Sequence, residues 1–250
     1  MQVYWTLTRR ELGGYFLSLT GYVIIAAAAF LMGLSFVILV LKLQGIPMTV
    51  PVTELFYMTQ FFWLILLLGT PVITMRLFAL ERFSGTFETL MTAPVTDLQV
   101  VLAKFTAALA FYMVMWLPLL GCILAVRYFT SDATALDVGA IWSTFLGILL
   151  LGGVFVSGGC WASALTRNQV VAAMISLLFG ASLFLLAFLA GQLPNEGGWE
   201  GQTLAALALF DHMHDFARGV VDTRPVVLLV SLTLFFLFLT LRIIESRRWK

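Results

Sequence analysis

Apolar residues in this chain come in long runs, not in strand-like alternation. Six stretches carry no charged side chain: Leu12–Leu41, Leu55–Met75, Phe105–Val126, Val138–Thr166, Asn168–Asn195 and Pro225–Leu241. A membrane-spanning helix needs about 20 apolar residues, with a range near 17–25. Each run is long enough for one span; the last gains Ile243 and Ile244 beyond Arg242, whose charge can snorkel to the interface. The expected spans are 20–41, 56–75, 101–126, 139–164, 169–191 and 224–244. Only Thr166-Arg167-Asn168 separates the fourth from the fifth, which predicts a tight hairpin. Pro71 and Pro118 are expected to kink the second and third spans. The fourth carries Gly152, Gly153, Ser157, Gly158, Gly159, Ala162 and Ser163. Small residues at this spacing let helices approach closely, and the reading favours packing within the chain over a subunit contact.

Three polar segments interrupt or flank the runs. Residues 1–18 mix Tyr4, Trp5, Tyr15 and Phe16 with Arg9, Arg10 and Glu11, the composition of a helix lying in the membrane interface. The Arg9-Arg10 pair resembles a twin-arginine signal, but a secretory apolar core is only about 7–15 residues, so an uncleaved first span is expected. The second segment, Arg76–Lys104, holds Arg76, Glu81, Arg82, Glu88, Asp97 and Lys104. A charge at the bilayer centre costs at least ~2.5–3.5 kcal/mol, so region 76–99 lies outside the hydrocarbon. Leu80, Phe83, Phe87, Leu90 and Met91 recur at helical spacing, which predicts a short amphipathic surface helix. Pro94 stops it, and Thr96 or Asp97 caps the next helix. The third segment, 192–223, opens with turn residues. Leu204, Leu207, Ala208, Phe210, Met213 and Phe216 then form one helical face, with Asp211, His212 and Asp215 among the polar positions. Too short for a seventh span, it predicts an interfacial or re-entrant helix pair, closed by Gly219 as the residue after the helix and followed by Pro225 in the first turn of the last span.

Composition confirms the class. The 250 residues are 61% hydrophobic and 11% charged, with a mean hydropathy of +1.02. A soluble domain is about 45–50% apolar and ~25% charged. The chain is therefore read as an all-α, multi-pass membrane protein, with membrane lipid as its surroundings and no nucleic-acid partner. Lys and Arg set the orientation. With six spans, one side holds Arg9, Arg10, Arg76, Arg82, Lys104, Arg167, Arg242, Arg247, Arg248 and Lys250; the other holds Lys42, Arg127, Arg218 and Arg224. The positive-inside bias puts both termini and the Arg76–Lys104 segment in the cytoplasm. Glu54, Asp132, Asp137, Glu196, Glu200, Asp211, Asp215 and Asp222 fall outside.

The chemistry that is absent narrows function. No ionisable residue falls near the middle of a run, which argues against an ion-coupled carrier. No lysine sits in a phosphate-cradling glycine loop, and no Ser/His/Asp or metalloprotease arrangement occurs, so the chain is not expected to be an enzyme by itself. His212 and His214 do not share a helical face, so no metal site is expected. Cys122 and Cys160 lie in apolar runs and read as small buried hydrophobes.

Three stretches resemble the permease subunits of type-2 ABC transporters, in the branch of gliding-motility (GldF-like) and NosY-like permeases. Glu81-Arg82-Phe83-Ser84-Gly85-Thr86-Phe87-Glu88-Thr89-Leu90-Met91-Thr92-Ala93-Pro94 is similar to an E-R-x-x-G-T-x-E-x-L-x-T-x-P element. Ser163-Ala164-Leu165-Thr166-Arg167-Asn168-Gln169 is similar to an S-x-L-T-x-N-Q turn. Phe210-Asp211-His212-Met213-His214-Asp215-Phe216-Ala217-Arg218-Gly219-Val220-Val221-Asp222 is similar to an H-F-x-x-F-x-x-G-x-x-D segment, with Met213 where the family more often has Phe. The resemblance implies a six-span exporter-like fold with an N-terminal connecting helix, a cytoplasmic coupling helix over Ser84–Thr92 and re-entrant periplasmic helices. It implies a bacterial inner-membrane protein that pairs with a second copy or a homologous permease and docks a separate cytoplasmic ABC ATPase, which holds the ATP and Mg2+; this chain holds no cofactor. A periplasmic accessory protein is a further expected partner. Such a permease exports or flips a substrate, or drives a periplasmic partner. Glu81, Arg82, Ser84, Gly85, Thr86, Glu88, Thr89 and Leu90 are the expected ATPase-coupling residues. Leu207, Phe210, His212, Phe216 and Arg218 are the expected lid. The alternative is a membrane anchor or scaffold of an envelope complex, without transport.

Overall fold

A computed structural model describes residues 2–42, 51–86, 95–130, 138–192 and 209–248. They form α1 (Gln2–Phe16), α2 (Leu19–Lys42), α3 (Val52–Tyr57), α4 (Gln60–Thr74), α5 (Ala79–Ser84), α6 (Asp97–Trp116), α7 (Pro118–Thr130), α8 (Val138–Leu165), α9 (Gln169–Gln192), α10 (Leu209–Arg218) and α11 (Thr223–Arg248), with no strand among the described residues. Among the described residues, six stretches are long and apolar enough to cross a membrane: Leu19–Leu41, Gln60–Ser84, Asp97–Val126, Val138–Leu165, Gln169–Ala190 and Thr223–Ser246. The all-α, six-span architecture expected from the apolar runs is therefore present.

The fold is built around α8. Its 28 residues extend about 42 Å at 1.5 Å per residue, and it packs on α4, α6, α9, α10 and α11. Its glycines explain how five helices share one axis. A methyl group at Gly152 would overlap the Tyr112 ring of α6, one at Gly158 the Phe179 ring of α9, and one at Gly159 the Thr74 side chain of α4. The small-residue stripe is thus internal packing. Beside it lies an aromatic cluster, with Phe62 and Trp116 centroids 5.1 Å apart and Phe56 and Trp116 6.5 Å apart. Outward faces of α2, α9 and α11 expose Phe30, Met174, Leu178, Leu189, Leu234 and Phe235, a surface suited to hydrocarbon.

Local signals placed several boundaries. Thr96 caps α6 in a reciprocal box: Gln99 N–H donates to Thr96 Oγ1 and Thr96 N–H donates to Gln99 Oε1, both at 3.3 Å. Asn168 Oδ1 accepts from Val170 N–H at 2.9 Å and starts α9 two residues after Thr166. Gly219 ends α10 at φ +94, with Val220 N–H donating to Asp215 O at 2.9 Å.

Other boundaries differ from expectation. The second span begins at Gln60, not 56, because residues 52–57 form the separate helix α3 and the chain breaks at Met58-Thr59. At Pro118 the third span is interrupted: α6 stops at Trp116 and Pro118 opens α7, a position where its missing N–H is harmless. Pro71 is carried inside α4. The amphipathic helix expected through Leu80, Phe83, Phe87, Leu90 and Met91 is interrupted: α5 ends at Ser84 because Gly85 turns left-handed at φ +74. Residues 87–94, with Glu88, Thr89 and Leu90 among them, lie outside the described residues, as do Leu204 and Leu207.

Candidate functional site

Each end of α8 holds a short helix through polar contacts. At its C-terminal end, Ser163 Oγ accepts the N–H groups of Phe78 and Ala79, both at 3.1 Å, and donates to Met75 O at 3.3 Å. This single hydroxyl sets the turn between α4 and α5. Arg82 Nη1 donates to Ala164 O at 2.6 Å and Thr166 O at 3.3 Å, satisfying terminal carbonyls of α8 and complementing its dipole. Lys104 Nζ of α6 donates to Glu81 Oε1 of α5 at 2.8 Å and to Glu11 Oε1 of α1 at 3.0 Å. Its side chain is only 3% exposed, and the Phe78 ring lies 5.5 Å away. Arg10 Nη2 stands 3.9 Å from Glu81 Oε1.

Helix α1 runs along α6 at this end. Tyr4 OH donates to Thr106 Oγ1 at 2.9 Å, and Tyr15 OH donates to Ile73 O at 2.9 Å. Tyr15 also stacks on Phe111 at 4.7 Å. Burial pushes the Tyr15 phenol well above its ordinary value, with the Cys160 and Glu11 side chains adding to it, so it remains a protonated donor. Arg76 Nη1 donates to Thr20 Oγ1 at the start of α2.

The expected coupling residues thus divide into two sets. Glu81 and Arg82 direct their polar atoms into the chain. Ser84, Gly85 and Thr86, with the neighbouring Phe83, form an exposed tip, with Ser84 Oγ donating to Glu81 O at 3.2 Å.

At the N-terminal end of α8, three side chains donate to carbonyls of α10. Ser143 Oγ reaches Phe216 O at 2.6 Å, Thr53 Oγ1 reaches Ala217 O at 2.8 Å, and Tyr57 OH reaches Phe210 O at 2.6 Å. Leu209, Met213, Phe216 and Ala217 are buried; Phe216 and Met213 pack directly over Gly147. Glu54 Oε1 accepts from Arg218 Nε at 2.9 Å and lies 3.0 Å from His214 Nε2. The Glu54 side chain is 2% exposed, against 50% for Arg218. Burial, with Asp211 adding to it, also raises the Tyr57 phenol.

Among the expected lid residues, Phe210, Phe216 and Arg218 come together on α3, α4 and α8, while His212 is half-buried on α10. Phe210 meets Trp63 at 4.4 Å and Phe184 at 5.1 Å, above an open groove of about 590 Å3 that no charged side chain lines among the described residues. Sequence reasoning did not anticipate Thr53, Glu54, Tyr57, Ser143 or Lys104 as partners. Glu54 and Lys104 each stood as a charge at the edge of an apolar run; the others carried no signal. Among the described residues no group of three or more His, Cys, Asp or Glu is arranged to hold a metal ion.

A family model described as ABC-2 family transporter protein matches residues 47–210. The matched stretch takes in α3 to α9, both clusters at the ends of α8 in part, and the start of α10. No curated protein matches the chain.

Proposed function

Because the chain belongs to the ABC-2 family of transporter membrane proteins, we propose that it is a permease subunit of an ABC transporter from the GldF-like and NosY-like branch. The observation that carries this reading is the family match across residues 47–210, which includes four of the six spans. One chain forms half of a membrane unit in the bacterial inner membrane, with both termini in the cytoplasm, and pairs with a second copy or a homologous permease. A separate cytoplasmic ATPase binds ATP and Mg2+, and its closure drives the spans to export or flip a substrate or to act on a periplasmic partner.

The tip Phe83–Thr86 and the following Glu88, Thr89 and Leu90 make the docking contact. Glu81 and Arg82 serve as the base of that contact, since their polar atoms are held by Lys104, Ala164 and Thr166. On the opposite side, α10 is the lid, seated on α3 and α8 through three carbonyl contacts.

Affinity capture of this chain, co-expressed with an ABC ATPase encoded in the same operon, tests the reading. The wild type should retain the ATPase in a complex of two permease and two ATPase subunits, and Glu88→Lys should weaken retention without lowering permease yield. Full retention and full activity of the Glu88→Lys complex would remove this segment as the docking element.

A further inference from the structure

Lys104 is an ionisable residue placed inside the third membrane-crossing stretch, Asp97–Val126, and it is 2% exposed overall. Its two carboxylate partners come from helices far apart in the chain, Glu11 on α1 and Glu81 on α5. Those helices are not closely packed on one another here. A cavity of about 180 Å3, lined by Gly14, Tyr15, Ser18, Leu77 and Leu80 together with Glu11 and Arg76, lies between them. The ammonium of Lys104 therefore makes the join that apolar packing does not. The direct contact between α1 and α5, Arg10 to Glu81, is longer at 3.9 Å and involves a 62% exposed side chain, so solvent screens it.

A buried ion cluster is a poor device for stability alone, because desolvation offsets much of the attraction and apolar replacements are often as stable. It does fix orientation, since each charge has one low-energy place to sit. We propose that Lys104 is a positioning residue that locks α1 and α5 to α6, so that a displacement of the tip after α5 reaches the connecting helix and the third span together. The transmission half of this statement rests on the coupling role assigned to that tip; the lock does not.

The test uses Lys104→Met/Glu11→Gln/Glu81→Gln, which removes all three charges and leaves no buried ion unpaired. In a Cys122→Ala/Cys160→Ala background, spin labels at Arg9→Cys and Phe83→Cys, both exposed positions, report the separation of α1 and α5 in lipid nanodiscs. The neutral variant should keep wild-type yield and melting behaviour but show a broadened distance distribution, while Lys104→Arg keeps the narrow one. Without spin labels, the permease-dependent change in partner ATPase rate should fall about tenfold in the neutral variant, a size usual for coupling between sites. Glu11→Gln alone, which spares the Lys104–Glu81 pair, should also broaden the distribution and serves if the triple variant is poorly made. An unchanged distribution overturns the proposal whatever the ATPase does. A broadened distribution with a full ATPase response overturns the transmission half. Should the wild-type chain leave the ATPase rate unaffected, the coupling role fails, and the spin-label arm still decides the lock.

Discussion

Ser143 and Ser163 stand about 30 Å apart along α8, and each hydroxyl holds the backbone of a different short helix. Ser143 donates to Phe216 O of α10 at 2.6 Å, and Ser163 accepts two N–H groups at the start of α5 at 3.1 Å. One buried rod thus sets the position of the segments at both ends of the protein.

The two hydroxyls should not be equally important. Ser163→Ala strands two buried N–H donors, each worth about 1–3 kcal/mol when left unpaired. Ser143→Ala frees one carbonyl oxygen near the end of α10, where Gly219 N–H also reaches Phe216 O at 3.2 Å. Thermal unfolding in detergent should rank Ser163→Ala as the more destabilised variant. Equal stability of both variants with the wild type would show that neither bond holds its helix.

Glycine substitutions should separate the packing faces of α8 from helix positions with open space beside them. Gly152→Ala and Gly158→Ala drive a methyl group into Tyr112 and Phe179, and overpacking of this kind costs about 1–3 kcal/mol. Gly33→Ala in α2 and Gly121→Ala in α7 meet nothing within 4 Å, and Ala is favoured over Gly in a helix by about 1 kcal/mol. Membrane yield and melting temperature should fall for the first pair and hold or rise for the second.

The cluster on α10 should respond asymmetrically. Removing Arg218 as Arg218→Met leaves Glu54, 2% exposed, with His214 opposite it, and should loosen α10 by about 1–3 kcal/mol. Removing the acid as Glu54→Met leaves Arg218, which is 50% exposed, free to be solvated, and should cost less than about 1 kcal/mol. Hydrogen exchange of α10 in nanodiscs reads the difference; faster exchange in Glu54→Met than in Arg218→Met would reverse the assignment.

Much of this was legible where the cause is local. The break between α1 and α2, the Thr96 cap, the Thr166–Asn168 hairpin and the Gly219 stop each follow from side chains within a few residues. The break at Met58-Thr59 was not legible, because no Gly or Pro marks it; Thr59 instead shares a 3.0 Å bond with Ser35 of α2. Gly85 was visible as a glycine, but the pattern of Leu80, Phe83 and Phe87 reads straight through it. Lys104 and Glu54 were counted as charges on opposite sides of a membrane. Their burial depends on partners at sequence separations of 93 and 164, which no periodicity encodes.

Orientation is open to a direct check. The Lys and Arg distribution predicts that Ser246, exposed near the end of α11, faces the cytoplasm and Val220, exposed after α10, faces the other side. In the Cys122→Ala/Cys160→Ala background, an impermeant thiol reagent applied outside intact cells should label Val220→Cys and spare Ser246→Cys. The opposite pattern would invert the topology and remove α5 from the cytoplasm.

The measurement closest to the central claim is ATP hydrolysis by the reconstituted complex. The purified chain in nanodiscs should hydrolyse no more ATP than empty nanodiscs, since it contains no phosphate-cradling loop. Adding a co-expressed ABC ATPase should give a complex of two permease and two ATPase subunits whose hydrolysis rate differs severalfold from that of the ATPase alone. Failure of the two proteins to associate, or a rate identical with and without this chain, would contradict its role as the permease of an ATP-driven transporter.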